Sequence, residues 1–119
     1  MSIISTAVED TGWINLTLES GISTYATTWA VTPKIRKIGN RVYIRGHITG
    51  VAAASTKICA IPSGYRVAFG TKYAVTAVGA VAYARIYVNT SGSLYMDWDS
   101  RETYDGGRWY QIDIDYLVD

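Results

Sequence analysis

The stretch KIRKIGNRVYIRGHIT, residues 34–49, decides the fold. Residues 34–38 and 41–49 are rich in β-branched and aromatic side chains, which favour strands. Gly39 and Asn40 between them form a two-residue turn that readily adopts positive φ. One side of the second strand carries Val42, Ile44 and Ile48, and the other carries Arg41, Tyr43, Arg45, His47 and Thr49. The pattern predicts a β-hairpin with one face on a core and the other open to solvent or a partner.

The rest of the chain repeats this pattern of short alternating runs separated by turns. The further predicted strands are residues 13–18, 56–61, 72–78, 83–89, 93–98 and 109–118. In the first of them Ile14, Leu16 and Leu18 share a face, and in the last Tyr110, Ile112, Ile114, Tyr116 and Val118 do. Residues 51–54 are predicted as a loop. About eight short strands without an amphipathic helix predict an all-β fold. We expect residues 1–119 to form a single jelly-roll-like antiparallel β-sandwich.

Composition narrows the classes of function. Charged residues make up 18% of the chain, below the roughly 25% of typical domains. Ten Tyr and four Trp accompany a single Phe, and rings with a polar group suit half-exposed binding surfaces. We therefore expect part of the surface to be covered by another subunit. The net charge of +1 gives little attraction to nucleic acid or to an anionic membrane.

Neither the start of the chain nor its cysteine suggests export by a signal or a disulfide scaffold. Residues 1–6 contain no basic segment and no long apolar stretch, which predicts synthesis in the cytoplasm without a signal peptide. No run approaches the roughly 18 apolar residues of a membrane span, so membrane insertion is not expected. The single cysteine, Cys59, lies in an apolar run and is predicted to be a small buried hydrophobe.

Five segments in order resemble a known family. They are residues 11–16 (TGWINL), 34–46 (KIRKIGNRVYIRG), 61–66 (IPSGYR), 84–92 (ARIYVNTSG) and 109–116 (WYQIDIDY). Together they resemble the C-terminal β-sandwich head domains of phage tail fibres, baseplate receptor-binding proteins and head fibres of siphophages that infect Gram-positive bacteria. Val67 departs from this pattern, because the family usually has Pro there.

The resemblance implies a homotrimer of heads in the tail, baseplate or fibre of a virion. It implies host recognition through a bacterial surface saccharide or a teichoic acid-like polymer, with other tail or baseplate proteins as partners. Two alternatives remain open: a purely structural fibre or decoration trimer, and a non-viral carbohydrate-binding module.

Catalysis is not expected, and neither a cofactor nor a metal site is predicted. His47 is the only histidine and has no nucleophile motif such as G-x-S-x-G near it. One histidine and one cysteine cannot build a structural zinc site. Asp97 and Asp99 are expected on one side of their strand, but such pairs are common on exposed strands. Residues 97–109 lack the glycine and glutamate spacing of an EF-hand.

The polar segment at residues 97–109 is the candidate saccharide site, because it combines aromatic rings with planar hydrogen-bonding groups. The proposed contacts are Asp97, Trp98, Asp99, Arg101, Tyr104 and Arg108, joined by His47 of an adjacent protomer. The alternative is that Trp98 and Trp109 anchor strand ends in the core.

Two further expectations concern pairing and packing. Asp113 and Asp115 are predicted to pair with Arg41, Arg45 or Arg85 across strands. Residues 73–84 are expected to form a buried strand pair or to face a trimer axis.

Overall fold

The computed structural model describes residues 9–79 and 82–118, and these residues form strands joined by turns and loops. The predicted start of the chain and positions 80–81 of the predicted 73–84 strand pair lie outside the described residues. Eleven strands follow one another: β1 (Ile14–Asn15), β2 (Ser23–Thr24), β3 (Lys34–Ile38), β4 (Arg41–Arg45), β5 (His47–Thr49), β6 (Thr56–Ala60), β7 (Lys72–Val78), β8 (Ala82–Val88), β9 (Ser93–Asp99), β10 (Tyr110–Gln111) and β11 (Ile114–Leu117).

These strands form two sheets. One has four strands in the order β1-β3-β4-β11, and the other has seven in the order β2-β5-β10-β7-β8-β9-β6. Every pairing is antiparallel. The inward side chains of both sheets form one apolar cluster, in which the largest fully buried members include Tyr110, Ile35, Ile44, Ile48, Ile58 and Ile86. The arrangement confirms the predicted all-β sandwich.

The predicted hairpin is confirmed. β3 pairs with β4 from Lys34 opposite Arg45 to Ile38 opposite Arg41, and Gly39 in the turn takes a φ of 60°. Ile35, Val42 and Ile44 point into the core, as the alternation predicts. Residues 51–54 form a loop, also as predicted.

Two predicted strands, residues 41–49 and 109–118, are each split between the sheets, which corrects the prediction. β4 and β11 pair in the four-stranded sheet, while β5 and β10 pair in the seven-stranded sheet. The break falls at Gly46, whose φ is 153° and whose carbonyl accepts a 3.0 Å hydrogen bond from the Ile112 amide. The two chain segments therefore cross from one sheet to the other side by side.

The predicted strand at residues 13–18 is wrong in extent. Only Ile14–Asn15 pairs as a strand, and Ile14 is exposed. Leu16 is buried, and Leu18 forms an isolated bridge with Cys59 of β6. The segment passes between the two sheets, so its side chains do not keep to one face.

Candidate functional site

The outer face of the seven-stranded sheet carries a row of half-exposed tyrosines. Tyr73 of β7, Tyr87 of β8 and Tyr95 of β9 lie directly opposite one another. Their ring centroids are 5.3 and 5.2 Å apart, and the Tyr87 and Tyr95 rings stack nearly parallel. Such cross-strand aromatic pairs stabilise a sheet, and their exposed edges leave apolar surface available.

A β-bulge interrupts β9 next to this row. Met96 lies opposite Ile86, but Trp98 rather than Asp97 lies opposite Arg85. The extra residue shifts the alternation by one position, so Asp97 and Trp98 both remain half-exposed while Asp99 turns inward. The prediction that Asp97 and Asp99 share one side of the strand is therefore wrong.

A shallow cavity of about 390 Å³ lies beside the bulge, lined by Arg85, Asp97 and Trp98. The Arg85 guanidinium forms an ion pair with the Asp97 carboxylate, with Nη2 2.5 Å from Oδ2, and lies 5.0 Å from the centre of the Tyr73 ring. Trp98 meets Tyr83 edge-on at 5.8 Å. We call Tyr83, Arg85, Asp97 and Trp98 the bulge site. It places an indole and a phenol ring beside a guanidinium and a carboxylate that are both open to solvent.

Asp99 organises the following loop from inside the protein. Its fully buried carboxylate accepts hydrogen bonds from the Tyr110 hydroxyl at 2.8 Å, from Arg108 Nη1 at 3.1 Å and from the Arg101 amide at 2.9 Å. Burial, followed by the hydrogen bond to Asp99, raises the pKa of Tyr110 to about 12. Arg108 also donates to the carbonyl and the hydroxyl of Thr103. These contacts fix the loop at residues 100–109.

The structure thus separates the predicted loop residues into two groups. One group points into the loop and consists of Asp99, Tyr104 and Arg108. Arg108 donates to the Asp99 carboxylate, and the Tyr104 hydroxyl accepts a hydrogen bond from the Asp99 amide at 3.4 Å. Asp97 and Trp98 remain accessible beside β8, and Arg101 is exposed at the start of the loop. The last three side chains can reach a ligand without breaking an internal contact of Asp99.

His47 lies in a second aromatic cluster, on β5. Its ring meets Trp29 at 5.1 Å and Trp109 at 5.6 Å, and Tyr25 lies against Trp29 at 5.7 Å. Its Nδ1 accepts a hydrogen bond from the Val31 amide at 3.0 Å. Burial lowers the pKa of His47, and the nearby Arg45 acts in the same direction against Asp113. Because Nδ1 accepts a hydrogen bond, the neutral imidazole carries its proton on Nε2.

Neither Trp98 nor Trp109 belongs to the buried core, so anchoring strand ends in the core does not account for them. Both are half-exposed members of surface aromatic groups. Of the predicted cross-strand ion pairs, that between Asp115 and Arg41 is confirmed at 2.5 Å. Arg85 pairs with Asp97 instead, and the Gln111 amide donates to Asp113.

The reactive groups considered from the sequence have ordinary structural surroundings. Cys59 is buried as predicted, and burial raises the pKa of its thiol to about 12. Among residues 9–79 and 82–118, no three His, Cys, Asp or Glu side chains come together as metal ligands. The same part of the chain contains no helix that is long and apolar enough to cross a membrane.

Sequence reasoning missed Tyr83, Arg85 and Trp29. Tyr83 and Arg85 occupy alternate positions before Tyr87. A period of two across residues 83–87 therefore placed Tyr83, Arg85 and Tyr87 on one face of β8. That signal was available. The neighbourhood of Trp29 was not, because it lies in a loop and meets His47 only through the tertiary fold.

Comparison with known protein families identifies a β-sandwich family that matches most of the chain. The family model described as YomR C-terminal beta sandwich domain matches residues 7–114. No curated protein matches the chain.

Proposed function

Because the chain belongs to the family of YomR C-terminal β-sandwich domains, which is phage-associated, we propose that it is a host-recognition domain of a virion. In this proposal it binds a bacterial surface saccharide or wall polymer, assembles as a homotrimer and is held in the tail, baseplate or fibre by other virion proteins.

The bulge site carries the proposal. Sugars bind where an aromatic ring packs on their C–H faces and planar charged groups hydrogen-bond their hydroxyls. Trp98 supplies a ring and Arg85 and Asp97 supply the planar groups that line one cavity, and Tyr83 lies edge-on against Trp98 beside it. The ion pair between Arg85 and Asp97 fixes both groups before a ligand arrives, which reduces the entropy lost on binding.

Because a trimer carries three copies of the site, each site can bind its ligand with low affinity. A trimer presents three copies to a surface that carries many copies of one glycan, so single-site affinities of about −4 to −8 kcal/mol suffice for firm attachment. An open, shallow cavity is consistent with affinity in that range.

Adsorption to cells tests the proposal. Labelled protein is incubated with a panel of Gram-positive cells and with purified wall glycans, and bound protein is measured for wild type, Trp98→Ala, Arg85→Ala and Trp29→Ala. Trp29 is the control, since it is an exposed tryptophan that lies outside the bulge site, in a loop where it contacts His47. We expect the first two variants to lose binding and the control to keep it.

Each other outcome counts against the proposal. If Trp29→Ala alone loses adsorption, the receptor site lies at the His47 cluster and the bulge site is wrong. Absence of wild-type adsorption to any cell or glycan favours the purely structural trimer.

Binding without turnover is the second part of the proposal. Nδ1 of the lone His47 already accepts a hydrogen bond from the Val31 amide, and the thiol of Cys59 is buried. Reproducible cleavage of a wall polymer that is abolished by Asp97→Asn would show that the domain is a hydrolase.

A further inference from the structure

Two cations face each other across the hairpin of the four-stranded sheet. Lys34 of β3 and Arg45 of β4 are direct register partners. Like charges at such positions destabilise a sheet. Across the described ranges no carboxylate lies within ion-pair distance of either cation, whereas Arg36 pairs with Asp10 and Arg41 pairs with Asp115 on the same sheet.

A small cavity of about 150 Å³ lies over this pair. Lys34, Arg45, Trp13 and Val31 line it, and no carboxylate does. This distinguishes it from the bulge site, where the Arg85 charge is balanced by Asp97. A cavity lined by two cations and by no carboxylate has the charge expected of an anion site.

Trp13 and the backbone hold the cavity in shape. The Arg45 guanidinium lies 5.8 Å from the centre of the Trp13 ring, and the Asp10-paired Arg36 lies 5.7 Å from it. The Val31 wall is fixed because its amide donates to His47 Nδ1 at 3.0 Å and its carbonyl accepts from the His47 amide at 2.8 Å. Such contacts orient Arg45 before an anion binds.

From this geometry we infer that Lys34 and Arg45 bind a phosphate group, with Trp13 packing against the carbon chain next to it. Guanidinium matches phosphate oxygens in a bidentate manner, and the lysine ammonium adds a point charge. The ligand is a phosphodiester-linked polyol or sugar polymer. The inference rests on the proposed function for the source of that polymer, a bacterial wall.

Titration with poly(glycerol phosphate) tests the inference, with binding followed by calorimetry at low salt. Replacing a charged hydrogen-bond donor is expected to weaken binding about tenfold. Lys34→Gln and Arg45→Gln should each show this loss, while Lys34→Arg should retain most of the affinity. Arg41→Gln is the matched control, because Arg41 lies on the same sheet face but is neutralised by Asp115. We expect it to bind as wild type does.

Two further probes identify the source of the phosphate. Inorganic phosphate should bind more weakly than the polymer, because it offers nothing to Trp13. A single-stranded DNA oligonucleotide with the same number of phosphates should also bind more weakly. Equal binding of either probe, or an equal loss in Arg41→Gln, would overturn the assignment.

The same variants in the cell-adsorption assay separate the two proposals. If Lys34→Gln and Arg45→Gln match wild type for the polymer while Trp98→Ala fails to adsorb to cells, the phosphate site is wrong and host recognition stands. If the polymer titration behaves as expected but wild type adsorbs to no cell, the phosphate site stands and host recognition is wrong.

Discussion

At the scale of single residues, two aspartates two positions apart in β9 have opposite surroundings. Asp97 is partly open to solvent and pairs with a half-exposed Arg85, while the Asp99 carboxylate is fully buried among three donors. The bulge at Asp97 causes the difference, because it turns the next inward position from residue 98 to residue 99. A ligand can therefore reach Asp97, while the Asp99 carboxylate already accepts hydrogen bonds from Arg101, Arg108 and Tyr110.

Replacing each aspartate by asparagine separates these roles. Asp99→Asn is expected to lower the free energy of unfolding by about 2–3 kcal/mol, because it leaves the charge of Arg108 unbalanced in a mostly buried place. Asp97→Asn should cost less than about 1 kcal/mol, as exposed ion pairs do. Urea denaturation of both variants measures the two values. Equal losses would contradict the inward placement of Asp99.

His47 is the only histidine of the chain, which makes its titration separable from all others. Its folded pKa is lowered mainly by burial, so the unfolded chain binds a proton more readily than the folded one. Stability contributed by neutral His47 is present above the unfolded value of 6.5 and is lost as the pH falls below it.

We therefore expect wild type to lose more stability than His47→Gln between about pH 7 and pH 5. Glutamine can accept the Val31 amide through Oε1 and does not titrate. Denaturation midpoints measured at several pH values give the slope of stability against pH for wild type and for His47→Gln. Identical slopes would mean that the folded pKa of His47 is not lowered.

At the scale of elements, Gly46 is the point where the hairpin strand leaves one sheet for the other. Its φ of 153° is unfavourable for other residues, and an added Cβ would lie 2.6 Å from the Pro33 Cα. The backbone at Gly46 has little room to move away from Pro33, because the Gly46 carbonyl also accepts a hydrogen bond from the Ile112 amide.

Gly46→Ala is expected to destabilise the domain by about 2–4 kcal/mol, from backbone strain together with the clash. Gly106→Ala is the matched control, since no atom lies within 4 Å of its added Cβ, and we expect a change within about 0.5 kcal/mol. Thermal or urea unfolding of both variants measures the difference. A tolerated Gly46→Ala would argue that β4 and β5 are one continuous strand.

The strands themselves were predictable, and their division between sheets was not. Alternation continues with the same parity through Gly46, since Val42, Ile44 and Ile48 are all buried. A period-two pattern is blind to which sheet buries a side chain, so residues 41–49 looked like one strand. The same holds for the last strand, where Tyr110, Ile112 and Ile114 are buried on both sides of the break.

The candidate site was predictable to a similar degree. Aromatic and charged residues in one segment pointed to the region of the bulge site, where Trp98 and Asp97 lie. Its other half comes from Tyr83 and Arg85 of β8, which reach it only through strand pairing. No signal in the sequence marked the bulge, because an extra residue changes the face only relative to a partner strand.

At the scale of the whole molecule, exposed apolar side chains lie along β7 and in the loop before it. Phe69 is 85% exposed and Val75 is 68% exposed. Tyr73 and Leu117 nearby are also exposed. In the described part of the chain β7 pairs with β10 only where Val78 meets Tyr110, which leaves the edge before it open. Open strand edges with apolar side chains are usually covered by another chain.

A homotrimer that covers this edge is the expected assembly in solution. Light scattering should give a mass near three times the 13.1 kDa of the chain at micromolar concentration. Phe69→Lys and Val75→Lys should each shift the mass toward the monomer, because burying an unpaired ammonium opposes association. Ile14→Lys is the matched control, since Ile14 is an exposed apolar residue of the other sheet, and its mass should stay that of wild type. A monomeric or dimeric wild type would contradict the trimer. A trimer that tolerates both lysines and is lost in Ile14→Lys would move the interface to the four-stranded sheet.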